Sequence, residues 1–158
     1  RALRTPSTTI GTMGIKVLHR NGGPFTLAQR TAIGLYLEQR ARSYMAVEVT
    51  SVTLTSVEVE ASITLEAGAT LEGVWRAAAS SIVTFLDWRK WAFGGDVDEA
   101  DILTIVNATQ GVASLETSSF LPAADVAVAA ASLPTLVRLS LLDLDTGDVL
   151  NAELAVSF

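Results

Sequence analysis

The stretch GGDVDEADILTIVNATQGVASL, residues 94–115, holds a two-glycine turn, a capped helix, a second glycine stop and the start of a strand. Asp98 is placed to cap the helix, and Glu99 and Asp101 put negative charge in its first turn, where the helix dipole favours it. Ile102, Leu103, Ile105 and Val106 supply an apolar face, and Gly111 can take the left-handed conformation that ends such helices. Val112, Ala113 and Leu115 then open a strand. A unit this short cannot bury its own apolar face, so it must dock on a larger body that the rest of the chain provides.

Upstream, Leu71, Val74, Trp75, Ala78, Ile82, Phe85 and Leu86 follow the i, i+3, i+4, i+7 rule and predict a long amphipathic helix. Before it, Val47 and Val49 alternate, Val52 and Leu54 take the opposite parity, and Val57, Val59, Ala61, Ile63 and Leu65 switch again. Each phase break predicts a bulge or bend in a pair of strands. Thr26 followed three residues later by Gln29 is a capping-box pattern, so a helix is expected from there to about Ser43, with Ile33, Leu37, Ala41 and Tyr44 on its inner face. Met13, Ile15 and Val17 predict a first strand, closed by a turn at Asn21–Pro24.

Downstream, Ala123–Ala131 has alanine propensity for helix. Val126 and Val128 alternate, however, and Pro122 and Pro134 bracket the run, so extended or irregular chain is the reading. Val137, Leu139 and Leu141 alternate as a strand, Asp145–Asp148 is a turn, and Val149–Phe158 returns as its hairpin partner. Strand, helix, strand, strand, helix, strand is the order of two split βαβ units. It predicts a ferredoxin-like βαββαβ two-layer α+β sandwich, with a short helix inserted and a C-terminal β-hairpin added. The expected division is an arm or linker over 1–12, an α+β domain over 13–142 and a hairpin extension over 143–158.

The chain has 158 residues, 49% hydrophobic and 18% charged, the composition of a folded domain with its own core. A net charge of -6 and the absence of a basic run argue against binding a phosphate backbone. Without cysteine there is no disulfide, thiolate metal site or cysteine nucleophile. No window resembles a membrane span or a signal peptide. The first residue is Arg1 rather than Met, as expected of a piece of a longer protein.

The single histidine, His19, limits any His-dependent site to one imidazole, and no nucleophile-elbow motif accompanies a serine. Asp96, Asp98, Glu99 and Asp101 read as helix capping before they read as a cation site. Asp143, Asp145 and Asp148 resemble the start of a calcium loop, but the glycine comes one position early and Leu154 stands where the bidentate acid belongs. The expectation is therefore no catalytic, cofactor-binding or metal-binding residue. Trp75 fits the helical core stripe, whereas Trp88, Trp91 and Phe93 lie at the helix end and are candidates for a protein interface. Val149, Leu150 and Phe158, on the added hairpin, complete that candidate set.

The order of motifs resembles the C-terminal part of the baseplate J-like family of contractile phage tails. The similar segments are GTMGIKVLHRNGGPFT at 11–26, YLEQRARSYMAVEVTSV at 36–52, VEVEASITL at 57–65, residues 94–115, and LPTLVRLSL at 133–141. Each is only apolar periodicity with turns; five in order across residues 11–142 are more specific. The resemblance implies a non-catalytic wedge component of a tail or tail-like baseplate, assembled in the bacterial cytoplasm. Its partners would be hub proteins, other wedge proteins and a second copy of itself, with no nucleic acid and no membrane span. The rival expectation is a ferredoxin-like module that binds a small molecule, and a third is an enzyme using Asp98 and Asp101 with a metal.

Overall fold

A computed structural model describes residues 2–5, 11–19, 23–41 and 45–154, the first four as backbone alone. The elements run β1 (Ala2–Thr5), β2 (Thr12–Val17), α1 (Leu27–Glu38), β3 (Ala46–Ser51), β4 (Thr53–Leu65), α2 (Leu71–Phe85), α3 (Glu99–Asn107), β5 (Val112–Leu121), β6 (Ser132–Asp143) and β7 (Val149–Glu153). They form two sheets. The smaller has the order β1-β2-β3, with β1 antiparallel and β3 parallel to β2. The larger has the order β5-β4-β6-β7, with β6 parallel to β4 and the outer pairs antiparallel.

The helices form where their caps and apolar stripes place them. Thr26 and Gln29 make the capping box at the start of α1. The Thr70 side chain accepts the Gly73 N–H to start α2, and Asp98 accepts the Ala100 N–H to start α3. Helices α2 and α3 pack on one face of the larger sheet. Val74, Ala78 and Ile82 of α2 and Ile102 and Val106 of α3 meet Val57, Val59 and Ile63 of β4 and Leu139 and Leu141 of β6. Gly111 lets the strand after α3 come in close: at φ 94° it lies where a Cβ would sit 2.8 Å from Val74 Cγ2.

The α+β class and its helix-on-sheet layering hold, but the strands do not join in one ferredoxin-like sheet. The reason lies at Val52. It is the only residue between β3 and β4, and a hairpin needs at least a two-residue turn. Its N–H donates to Val17 O (3.0 Å), finishing the smaller sheet, and the next residue begins pairing with β6 instead. The first parity switch therefore marks a passage between sheets.

The second parity switch needs no bulge in β4. Leu54 faces a second apolar cluster, formed by Leu18, Val52 and Leu133, while Val57 faces the helices. The bulge sits in β6 instead, where the register jumps from Val57↔Leu136 to Glu58↔Arg138 and leaves Val137 over. Toward β7, however, Val137 stays in step with Leu139 and Leu141, since the Leu154 N–H donates to its carbonyl. Residues 2–5, within the expected arm, pair as β1 on β2. Helix α1 stops at Glu38 rather than near Ser43, a position outside the described residues, as are Tyr44 and part of the Asn21–Pro24 turn. The hairpin starts earlier than Val137, and β7 is the fourth strand of the larger sheet.

Candidate interaction surface

The aromatic residues after α2 are built into the chain as much as they are presented by it. Trp91 stacks edge-on against Phe85 (centroids 4.9 Å apart), and its indole N–H donates to Gly95 O at 2.8 Å. Trp88, Trp91 and Phe93 are each half-buried and close over the Leu18–Val52–Leu133 cluster. The Arg89 guanidinium lies 5.1 Å from the centre of the Trp88 ring. The three aromatics thus come together, at the junction of the two sheets.

Val149 and Leu150 sit elsewhere. Leu133 and Leu142 are separated by about 30 Å of β6 at roughly 3.3 Å per residue, and Val149 pairs with Leu142. Val149 is 60% exposed, while Leu150 is half-buried. Phe158 lies outside the described residues. Between α2 and β7 runs an open groove of about 430 Å³, lined by Leu71, Trp75, Val149, Leu150 and Ala152 with the Glu72–Arg76 ion pair at its rim. Trp75, read from sequence as core, does anchor α2 on the sheet: its N–H donates to Leu139 O at 2.9 Å. Its half-buried ring also forms one wall of this groove.

The turn leading into β7 is held from within. Asp143, only 3% exposed, accepts the Asp145 N–H and the Thr146 hydroxyl, and Gly147 at φ 76° closes the loop. These contacts occupy the carboxylate that the sequence offered to calcium. On the sheet face away from the helices, Arg138 binds both Glu58 (2.7 Å) and Glu60. The hydrogen bond that the guanidinium donates to Glu58 leads the effects that hold its pKa above the ordinary value.

The acidic run before α3 is likewise engaged with backbone. Asp96 accepts the Val128 N–H (2.8 Å), Asp98 caps α3, and Asp125 accepts the Glu99 N–H (3.1 Å). Among the described residues no three His, Cys, Asp or Glu side chains are grouped to hold a metal ion. His19 packs its ring 5.1 Å from that of Phe25, and its backbone N–H donates to Gly23 O.

Sequence reasoning missed one apolar surface. On α1, Leu27, Leu35 and Tyr36 are all more than half exposed, and Gly34 is the helix's buried residue. The signal was present as a second stripe at 27, 28, 31, 32, 35 and 36, beside the inner stripe of Ile33 and Leu37.

A mixed α+β body, with three helices and two sheets among the described residues and exposed apolar side chains on α1, at Val83 of α2 and at Val149 of β7, is the class that the geometry defines. Its architecture is shared with a chain in the cryo-EM structure of the anti-feeding prophage baseplate, 6-fold symmetrised: TM-score 0.55 and 12% identity over 84% of this chain. The match spans 30% of that baseplate chain, so the likeness is to one portion of a larger protein. No protein-family model matches the sequence, and neither does any curated protein.

Proposed function

We propose that this chain is a structural component of a tail or tail-like baseplate, a wedge protein that links hub, neighbouring wedges and sheath through protein–protein contacts and catalyses nothing. The observation that carries the reading is the fold shared with a prophage baseplate chain over 84% of the present one. The order of sequence motifs, which resembles that of the baseplate J-like family, supports the same reading. Its place would be the baseplate of a virion tail or tail-like particle put together in the host cytoplasm. Contacts would be made by the half-buried aromatics Trp88, Trp91 and Phe93 and by the β7 side of the hairpin, Val149 and Leu150, with Phe158 beyond it. Rings are commonly closed by heterologous contacts, in which one patch meets a different one, and these two regions at separate ends of β6 suit that arrangement.

The test is the composition of purified tail-like particles from the source. Peptide stoichiometry against the tube protein should place this chain at a low multiple of six per particle, as expected of a sixfold baseplate. Its absence from intact particles would end the proposal. The rival ligand-binding module has the open groove between α2 and β7 as a candidate site. A thermal-shift screen with metabolites and divalent cations separates the two, since a bound ligand raises the melting temperature by mass action and a wedge protein gives no shift.

A further inference from the structure

Charge divides between the two sheets. Residues 1–52, which supply the smaller sheet and α1, hold seven Lys and Arg against two acidic residues, a net of +5. Residues 53–158 hold four against fifteen, a net of -11. A chain whose overall charge is -6 thus has one positive side, and that side attracts an acidic surface. On α1 the positive charge is not answered from within. Arg30 and Arg40 make no ion pair among the described residues, and the Arg30 Nε is out of solvent with no acceptor. The one carboxylate of the helix, Glu38, turns to the sheet and accepts the Val47 N–H at 3.1 Å.

The same helix presents an uncharged face to solvent. Leu27 (72% exposed), Leu35 and Tyr36 are three of the seven large apolar side chains that stand exposed among the described residues, and Ala28, Thr31 and Ala32 fill the surface between them. Ala28 and Ala32 lie one turn apart, so a second helix can come close there and pack its side chains against Leu27 and Leu35. The 12 residues of α1 make the strip about 18 Å long, room for about three turns of a partner helix. At its C-terminal end the Arg40 guanidinium lies 3.7 Å from the centre of the Tyr36 ring and donates to Tyr36 O (3.3 Å). These contacts hold a cation at the border of the apolar strip, with N–H donors to spare for a carboxylate.

We propose that α1 docks an acidic amphipathic helix of a different protein, its apolar stripe seated on Ala28, Ala32 and Leu35 and a carboxylate meeting Arg40. The proposal rests on the reading of the chain as a contact protein and names the chemistry of one partner. A second copy does not supply such a helix. The acidic helix of this chain, α3, has Ile102 and Val106 fully buried in its own core, and the Asp96 and Asp98 carboxylates before it are bonded to backbone N–H groups.

Fluorescence anisotropy of the full chain against two labelled model peptides tests it. Each peptide is a helix of about four turns with the same leucine–alanine stripe, flanked by Glu in one and by Lys in the other. The Glu peptide should bind about tenfold more tightly than the Lys peptide, and the gap should close at about 0.5 M salt. Arg40→Glu should reverse the order. Leu35→Glu, at an exposed position, should weaken the Glu peptide about tenfold, with circular dichroism as the check of its fold. If either variant fails to fold, Leu35→Ala and Arg40→Gln decide, each with a loss of about threefold. Failure of both peptides to bind up to about 1 mM, equal binding of the two, or Glu-peptide binding untouched by Leu35→Glu would overturn the proposal. Two other occupants would overturn it as well. Vesicles of phosphatidylcholine and phosphatidylglycerol that float the wild type but not Leu35→Glu would assign the face to a membrane, and a dimer that Leu35→Glu dissolves in sedimentation velocity would assign it to a second copy. None of these results bears on particle composition, which alone decides the baseplate role.

Discussion

Gly94 and Gly147 both occupy the left-handed region, at φ 68° and 76°, yet they do so for different reasons. At Gly94 an added Cβ would lie 2.7 Å from Ala130 Cα, and the Gly94 N–H donates to Ser132 O, so two backbones touch there. At Gly147 nothing lies within 4 Å. Gly94→Ala therefore combines a conformational cost with a backbone clash and should lower stability by about 2–4 kcal/mol. Gly147→Ala carries the conformational cost alone, about 1–2 kcal/mol. Chemical denaturation of the two variants side by side reads the difference. A second residue-scale effect is electrostatic. The backbone N–H of Ser118, and after it the Ser118 hydroxyl, hold the Glu116 carboxyl below its ordinary pKa. A carboxyl depressed in the folded state adds stability that is present above its unfolded pKa and is lost as pH falls through the lower folded value. Ser118→Ala should move the Glu116 midpoint upward only part of the way, because the backbone donor remains. A carbon-detected NMR titration of the carboxyl measures it.

Single elements were legible in the sequence wherever their cause is local. The capping box at Thr26, the cap at Asp98 and the stripe of α2 each depend on residues a turn or less apart, and each is where the spacing put it, whereas α3 already ends at the right-handed Ala108 cap and Gly111 takes its positive φ three residues later, in the turn into β5. Boundaries set by the rest of the chain were not legible. The C-terminal stop of α1 has no glycine to mark it, and the bulge in β6 arises from the register of β4 beside it. Of the candidate contact residues, exposure at Val149 followed from its place on a returning edge strand. The half-burial of Trp88, Trp91 and Phe93 did not, because the Leu133 they cover lies some forty residues further along the chain. At this scale the cap of α3 offers a direct test. Asp98→Ala removes the acceptor of the Ala100 N–H (2.8 Å) and should cost about 1 kcal/mol in urea denaturation. Asp125, which accepts the neighbouring Glu99 N–H, keeps the helix start from being stripped entirely.

At the scale of the whole molecule, the arrangement of strands turns on a single residue of connection. Local patterns gave the strands their faces, but whether β4 returns along β3 or leaves it depends on the length of the link and on a partner, β6, placed far along the chain. The two sheets consequently have unequal support. The larger carries α2, α3 and an extensive core, while the smaller is covered by α1, with Gly34 its buried residue, and reaches the rest through the Leu18–Val52–Leu133 cluster. Leu133, fully buried and contributed by β6, is the larger sheet's share of that junction. Leu133→Ala should cost about 2–5 kcal/mol in side-chain packing, and the loss should fall unevenly. Native-state hydrogen exchange should show the Val52 amide, bonded to Val17 O at the end of the smaller sheet, losing protection well before amides in the β4–β6 pairing. Ile82→Ala, a cavity of comparable size inside the larger core, should instead lower protection in β4 and β6 first. Equal loss at both sites in both variants would mean that the sheets open as one unit, and that the small cluster couples them more tightly than its three buried side chains suggest.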